Sequence, residues 1–528
     1  MAATKVGSCR SFAVVALVWL GLISIGTKQV QGSVHEYENA EFTETGNAFL
    51  LYGGSEGLFV NAPNNHGGVA NGKSFINFDS SLTLTRTAES AGKITTQGSQ
   101  VPVEAVIFEL SDKDNFGYSF DDGMEKSICC TKDLAAIRGC EVGKIIFQRE
   151  ADNSEWPKSI TTYFVGSETT ARFKADSVPI PRTGMYTLYF VFCEPDLQGT
   201  TLSGKTVWKN PGGYLPGRMT PYLSFYGIMS LAYLALGLVW FIQYTRYWKD
   251  ILQLQNCITA VIALGMSEMA LWYFDYSNFN ATGKRPIGIT IWAVTFGAVK
   301  KTVSRLLILV VSMGYGVVLP TLGGLTSKVV LLGVTYFLAA ELLDVMENVG
   351  TVNDASGSAR LFLVLPVAVL DAFFILWIFT SLSRTLEKLQ ARRRFAKLEL
   401  YRKFTNTLAI AVIAAVMWIG YELYFKATDK LSERWETAWV IPAFWIVFTY
   451  LILVTICFLW APSQNSTRYA YSEELGDADD EEEAQALTAG GPLVEIEKGL
   501  VKPEKNRKPV NTDVFSLDDD GPEEDKRE

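Results

Sequence analysis

The chain has 528 residues, a formal net charge of −9 and 48% hydrophobic residues. Its acidity is local, because Ala461 to Glu528 holds 19 Asp and Glu against 8 Lys and Arg, a balance of −11 that leaves +2 for the rest. An acidic balance of this kind offers no surface for phosphate backbones and excludes nucleic acid as a partner, and the segregation means that each segment must be read by itself.

Residues 1–32 read as a secretory signal. Lys5 and Arg10 give a basic start, Ser11 to Gly26 an apolar run, and Val30-Gln31-Gly32 a small-residue cleavage site. The run is shorter than the roughly 20 residues a bilayer core requires, so cleavage is expected over an eighth spanning helix.

Residues 33–215 read as an exported β domain, an antiparallel sandwich. Ser74 to Thr87, Val101 to Leu110, Lys144 to Arg149 and Tyr186 to Phe192 carry β-branched and aromatic residues punctuated by Gly, Asn, Asp and Pro. The segment Met185 to Phe192 is apolar on both alternating faces, as in a central strand covered on both sides. Cys129, Cys130, Cys140 and Cys193 fall in this exported part and predict two disulfides. Four cysteines allow three connectivities, and the adjacent Cys129 and Cys130 are expected to take different partners.

Residues 216–461 hold seven apolar runs, each long enough to cross a bilayer as a helix: Tyr222 to Tyr244, Leu252 to Phe274, Ile287 to Met313, Val329 to Met346, Leu361 to Phe379, Thr407 to Phe425 and Trp439 to Trp460. With the amino-terminal domain lumenal, the expected cytosolic loops hold eleven cations, Arg246, Lys249, Lys328, Arg384, Lys388, Arg392, Arg393, Arg394, Lys397, Arg402 and Lys403. The expected lumenal loops hold six, Lys284, Arg285, Arg360, Lys426, Lys430 and Arg434, in keeping with the positive-inside rule. Of the two sequons, Asn280-Ala281-Thr282 is expected to face the lumen and be glycosylated, and Asn465-Ser466-Thr467 the cytosol. Residues 462–528, with Asp479 to Glu483 and Asp518 to Asp520, have few large apolar residues and read as a disordered cytosolic tail.

The anomaly is charge inside the third apolar run. Lys300, Lys301 and Arg305 stand near its middle, where each costs at least about 2.5 kcal/mol. Lys300 lies about 20 Å along the axis from Ile287, too deep to snorkel, so these cations are expected to face the bundle interior. Lys301, Ser304 and Arg305 share one face by their i, i+3, i+4 spacing, and Lys300 points about 100° away. Glu268, Glu341, Asp344 and Asp371 stand at comparable depths in runs two, four and five, with Glu422 nearer the lumenal end of run six. The bland reading is charge neutralisation that fixes packing, and the functional one is a polar interior for an anionic headgroup or for ions. An enzyme is not expected: His35 and His66 are outside any metal-ligand spacing, and no metalloprotease, nucleophile-elbow or P-loop pattern appears. Asp344 and Asp371 lack the local context of an intramembrane aspartyl protease. No metal site or catalytic residue is expected.

Three stretches carry a resemblance. They are Gly213-Tyr214-Leu215 leading into Phe225-Tyr226, Trp248 to Leu252 with Gly265-Met266 and Glu268, and Lys300-Lys301-Thr302 through Ser312-Met313-Gly314-Tyr315-Gly316. In these the chain resembles the GOST family, the Golgi-dynamics-domain seven-transmembrane proteins also called lung seven transmembrane receptors, on the transmembrane protein 87 branch, and it is distantly similar to Wntless. The resemblance implies a Golgi-dynamics-like sandwich and a helix bundle with room for a phospholipid, lined by Lys300, Lys301 and Arg305 facing Glu268, Glu341 and Asp371. It implies a multi-pass Golgi protein, cycling to endosomes or the plasma membrane, that handles a lipidated or membrane cargo and meets sorting adaptors or a G protein in the cytosol. Trafficking factor, G-protein-linked receptor and cation channel are all implied within the family, and fold does not choose among them. The third run lacks Asp-Arg-Tyr and the seventh lacks Asn-Pro-x-x-Tyr, which counts against ordinary G-protein coupling.

Overall fold

The computed structural model describes residues 33–60, 73–93, 100–118, 126–147, 156–174, 176–315, 324–348, 357–392, 395–429 and 434–462. The signal segment, the tail with Asn465, and Arg393 and Arg394 lie outside the described residues.

Among the described residues eleven strands form two antiparallel sheets. Strands β4 (Phe75–Phe78), β5 (Thr83–Thr85), β8 (Thr170–Arg172), β9 (Ser177–Pro179) and β11 (Thr201–Lys209) make one sheet, in the order β8-β5-β11-β4-β9, with β1 (Val34–Glu41) also on β11. The other runs β2 (Thr43–Thr45), β3 (Ala48–Leu58), β10 (Gly184–Phe192), β6 (Gln100–Glu109), β7 (Lys158–Val165). Alternation buries Ile76, Phe78, Leu84, Leu202 and Trp208 of the first sheet against Val103, Ala105, Ile107, Leu188 and Phe190 of the second in one core.

Strand β10 is covered on both faces, as its unbroken apolar run predicts. Tyr186, Leu188 and Phe190 face the core, while Val191 packs outward under Phe116, Ile128 and Cys129. That outer layer is pinned by Cys129–Cys193, and Cys130–Cys140 closes a small loop within it. The adjacent cysteines do take different partners. Lys144 to Arg149 is not a strand over its described part: Ile145 and Phe147 make only isolated bridges.

The long helices that follow the sandwich are α1 (Thr220–Arg246), α2 (Gln253–Thr282), α3 (Ile287–Ser312), α4 (Leu325–Asn348), α5 (Gly357–Ala391), α6 (Phe395–Thr428) and α7 (Val440–Leu459). Among the described residues six are long and apolar enough to cross a membrane, and α3 is not among them. Its 26 residues are long enough, and Lys300, Lys301 and Arg305 are what lower its hydropathy. Helices α5 and α6 run well beyond their apolar stretches at the end of the bundle away from the sandwich.

Sandwich and bundle meet at the other end. Val34 N donates to Gly283 O over 3.3 Å, and Lys284 pairs with Glu36. Trp435, in the α6–α7 connection, lies on Gly57 of β3 with its ring 5.0 Å from that of Phe59, and a Cβ on Gly57 would meet the indole at 2.6 Å. Gly217 N, at the entry to α1, donates to Gly57 O over 2.8 Å, which closes the joint.

Asn280, whose glycosylation the sequence leads one to expect, belongs to this joint. It lies in the last turn of α2; its Oδ1 accepts from Leu215 N over 3.2 Å and its Nδ2 donates to Gly212 O over 3.1 Å. A Cβ on Gly213, which has φ +140°, would collide with this amide, so only glycine lets the linker lie close enough to keep the amide nitrogen engaged. An Asn280→Gln variant is expected to migrate on a gel as the parent does, with no shift from a lost glycan. A faster-migrating variant would show that the joint opens.

Candidate functional site

Helix α3 lies between α2, α4 and α5, and small residues let acidic groups reach it. A Cβ on Gly297 would meet Glu268 Oε1 at 2.9 Å, so only glycine lets that carboxyl lie against α3. Gly265 likewise accommodates the ring of Tyr233 from α1.

The three cations go to three different helices. Lys300 pairs with Glu268 of α2, Lys301 Nζ lies 2.7 Å from Asp344 Oδ2 of α4, and Arg305 reaches Asp371 of α5. The last is bidentate, Nε to Oδ1 at 2.6 Å and Nη2 to Oδ2 at 3.2 Å, and its guanidinium lies 4.6 Å from the ring of buried Tyr336. The angular separation of Lys300 from Lys301 and Arg305 therefore becomes a separation between partners.

Exposure divides the pairs. The Lys300 and Glu268 side chains are 7% and 9% exposed, and Lys300 Nζ lies 5.6 Å from the Tyr233 ring. By contrast Lys301 is 43% exposed, and Arg305 and Asp371 are 32% and 33%. The first pair is a closed ion pair. The other two form an open ladder along the α3–α4–α5 face, with half-buried Ser304 between them in sequence.

Glu341, one turn from Asp344, is buried, and its Oε1 accepts from Thr295 Oγ1 over 2.8 Å while Oε2 has no hydrogen-bond partner. Glu422 does not join the ladder; it pairs with Lys426 on its own helix. Helices α5 and α6 leave the flank open: from Phe362 to Phe373 no residue of α5 is buried, nor any of α6 from Ala409 to Tyr424. Their burial is concentrated at the far end, at Phe374, Ile378 and Leu382 and at Tyr401, Phe404 and Leu408.

A second buried charge pair escaped the sequence reading. Asp275, fully buried, accepts from Arg285 Nε over 3.1 Å and from Thr290 Oγ1 over 2.5 Å, and the guanidinium lies 5.6 Å from Trp272 and 5.7 Å from Tyr276. Arg285 sits beside Pro286 and looks like an ordinary loop cation; the available signal was Asp275, seven residues from Glu268 and so on the same face of α2.

The chain matches the GOST seven-transmembrane domain over residues 221–467. It is 34% identical to transmembrane protein 87A of Xenopus tropicalis over 372 residues, 70% of this chain and 66% of that one. It is 40% identical to transmembrane protein 87B of Mus musculus over 282 residues, 53% of this chain and 50% of that one. With transmembrane protein 87B of Homo sapiens the identity is 38% over 313 residues, 58% and 55% of the two chains. The aligned parts thus span half to two thirds of the length of these relatives. From the domain match and these likenesses, the chain belongs to the GOST seven-transmembrane family.

Proposed function

We propose that this protein works in Golgi and endosomal membrane trafficking, its sandwich and the polar interior of its bundle binding a phospholipid or a lipidated client, with sorting adaptors on the cytosolic side. The observation that carries the reading is the open ladder Lys301–Asp344 and Arg305–Asp371, in which α3 pairs with two helices apolar enough to cross a membrane. An ion pair that is a third exposed exchanges its internal partner readily for a headgroup. A zwitterionic headgroup meets both signs at once, its phosphate on a cation and its ammonium on a carboxylate. The unburied halves of α5 and α6 supply a side on which acyl chains have no helix to displace.

The test is mass spectrometry of what copurifies in mild detergent. The Lys301→Ala, Arg305→Ala variant is expected to lose most of a specific lipid or acylated protein while remaining monodisperse. Unchanged copurifying lipid, with normal cargo traffic, would sink the reading.

A second reading, a cation path, is favoured by Glu341, whose buried carboxyl has one oxygen without a hydrogen-bond partner, and by the pairing of all three α3 cations, which relieves their repulsion of permeant ions. Conductance in a reconstituted bilayer that Glu341→Gln abolishes would favour it over carriage.

A further inference from the structure

The α5–α6 hairpin carries a surface that the lipid reading leaves unused. The apolar run of α5 ends at Phe379, yet the helix continues to Ala391, and α6 starts at Phe395, before its apolar run begins. This extension is packed, not free-standing: Leu382, Thr385 and Leu389 are buried, Thr385 Oγ1 donates to Ser312 O over 2.8 Å, and Tyr401 OH donates to Val311 O over 3.1 Å. Phe404 meets Trp460 edge-on at 4.9 Å, which ties the hairpin to α7 as well.

The opposite face of the extension is basic. Arg384, Lys388 and Arg392 are exposed at i, i+4 and i+8, so they form one stripe on a helix fixed by its other face. Arg402 and Lys403 are exposed on α6. From Thr380 to Thr407 there are eight Lys and Arg against two Glu. Charge balance at a membrane face would require cations but not this ordered row.

Height gives the row its meaning. Each step of four residues climbs about 6 Å, so the stripe rises from roughly 7 Å to roughly 20 Å beyond the end of the apolar run. The headgroup layer of an ordinary bilayer is only about 5–7 Å deep on each side. A serine headgroup would reach Arg384 alone, whereas a phosphorylated inositol ring stands above the phosphate plane and offers anions at more than one height. We infer that the Arg384-Lys388-Arg392 stripe is a binding site for inositol phospholipids carrying ring phosphates, in the leaflet beside the α5–α6 hairpin.

The test uses the full chain in detergent micelles with a fluorescent short-chain phosphatidylinositol 4-phosphate as the probe. Wild type is expected to bind it at least tenfold more tightly than a short-chain phosphatidylserine of the same chain length. Arg384→Gln, Lys388→Gln, Arg392→Gln should weaken binding about 100-fold, from about fivefold per surface cation lost. Arg402→Gln, Lys403→Gln, off the stripe, should weaken it less, and Lys301→Ala, Arg305→Ala should leave it unchanged, which separates this site from the ladder. Equal affinity in the stripe variant, equal affinity for the two lipids, or displacement of the probe by an acidic peptide but not by unlabelled lipid would overturn the assignment. Because all three side chains are exposed, a monodisperse stripe variant without binding is a loss of the site and not of the fold.

Discussion

Lys300→Ala is expected to destabilise the bundle by about 3–5 kcal/mol, because it leaves Glu268 charged and unpaired in a closed interior. Lys301→Ala, whose lysine is 43% exposed, should cost about 1 kcal/mol or less. The two residues are adjacent and chemically identical, so burial alone sets the difference. Heating each variant in detergent and following the surviving monodisperse fraction by size exclusion should give a large drop in midpoint for the first and a small one for the second. Equal drops would mean that water reaches Glu268. Lys300→Met with Glu268→Leu should recover most of the loss, since an apolar pair of similar volume needs no partner. Failure of that rescue would point to a role for the charge beyond packing.

Removing the long disulfide is the second large effect. Cys129→Ser, Cys193→Ser should cost about 4 kcal/mol by chain entropy, given a sequence separation of 64, against about 3 kcal/mol for Cys130→Ser, Cys140→Ser with a separation of 10. The difference should be larger in practice, since Cys193 at the end of β10 is what holds the outer layer of Phe116, Ile128 and Phe147 onto the sheet. Limited proteolysis is expected to cut within 116–147 in the first variant before the sandwich itself is attacked. Simultaneous digestion of the whole domain would show that the outer layer is part of the core and not a cover.

The open ladder and the basic stripe lie at different depths of one helix, α5, which carries Asp371 in its apolar run and Arg384 beyond it. A lipid held by the ladder and an inositol lipid held by the stripe would therefore engage the same helix at separate heights. At the other end Trp435 ties the α6–α7 connection to Gly57 of the sandwich, so α6 is held by the sandwich at one end and by α3 and α7 at the other.

Local pattern determined a good deal by itself. Runs of about 20 apolar residues need no tertiary knowledge to be read as helices, because a bilayer tolerates only backbone that satisfies its own hydrogen bonds. The double-sided apolar run at β10 marked the centre of a sheet, and the angle between Lys300 and Lys301 followed from helical geometry. Short strands such as β8 and β9, at three residues each, carry too little pattern to be found, and Lys144 to Arg149 has β-like composition without a partner strand to pair with over its described part. Cysteine identity predicted two bridges but not their connectivity, which depends on distances across the outer layer. Sequence placed Glu268, Glu341, Asp344 and Asp371 within reach of α3; only the packing decided that Lys300 takes Glu268, Lys301 takes Asp344, Arg305 takes Asp371 and Glu341 takes a threonine. The loop position of Arg285 misled because a short stretch of sequence does not reveal that a buried carboxylate lies against it. What a residue is and which way it points are local properties of the chain, whereas what it meets is set by segments tens to hundreds of residues away, and that is settled only when the helices and sheets pack.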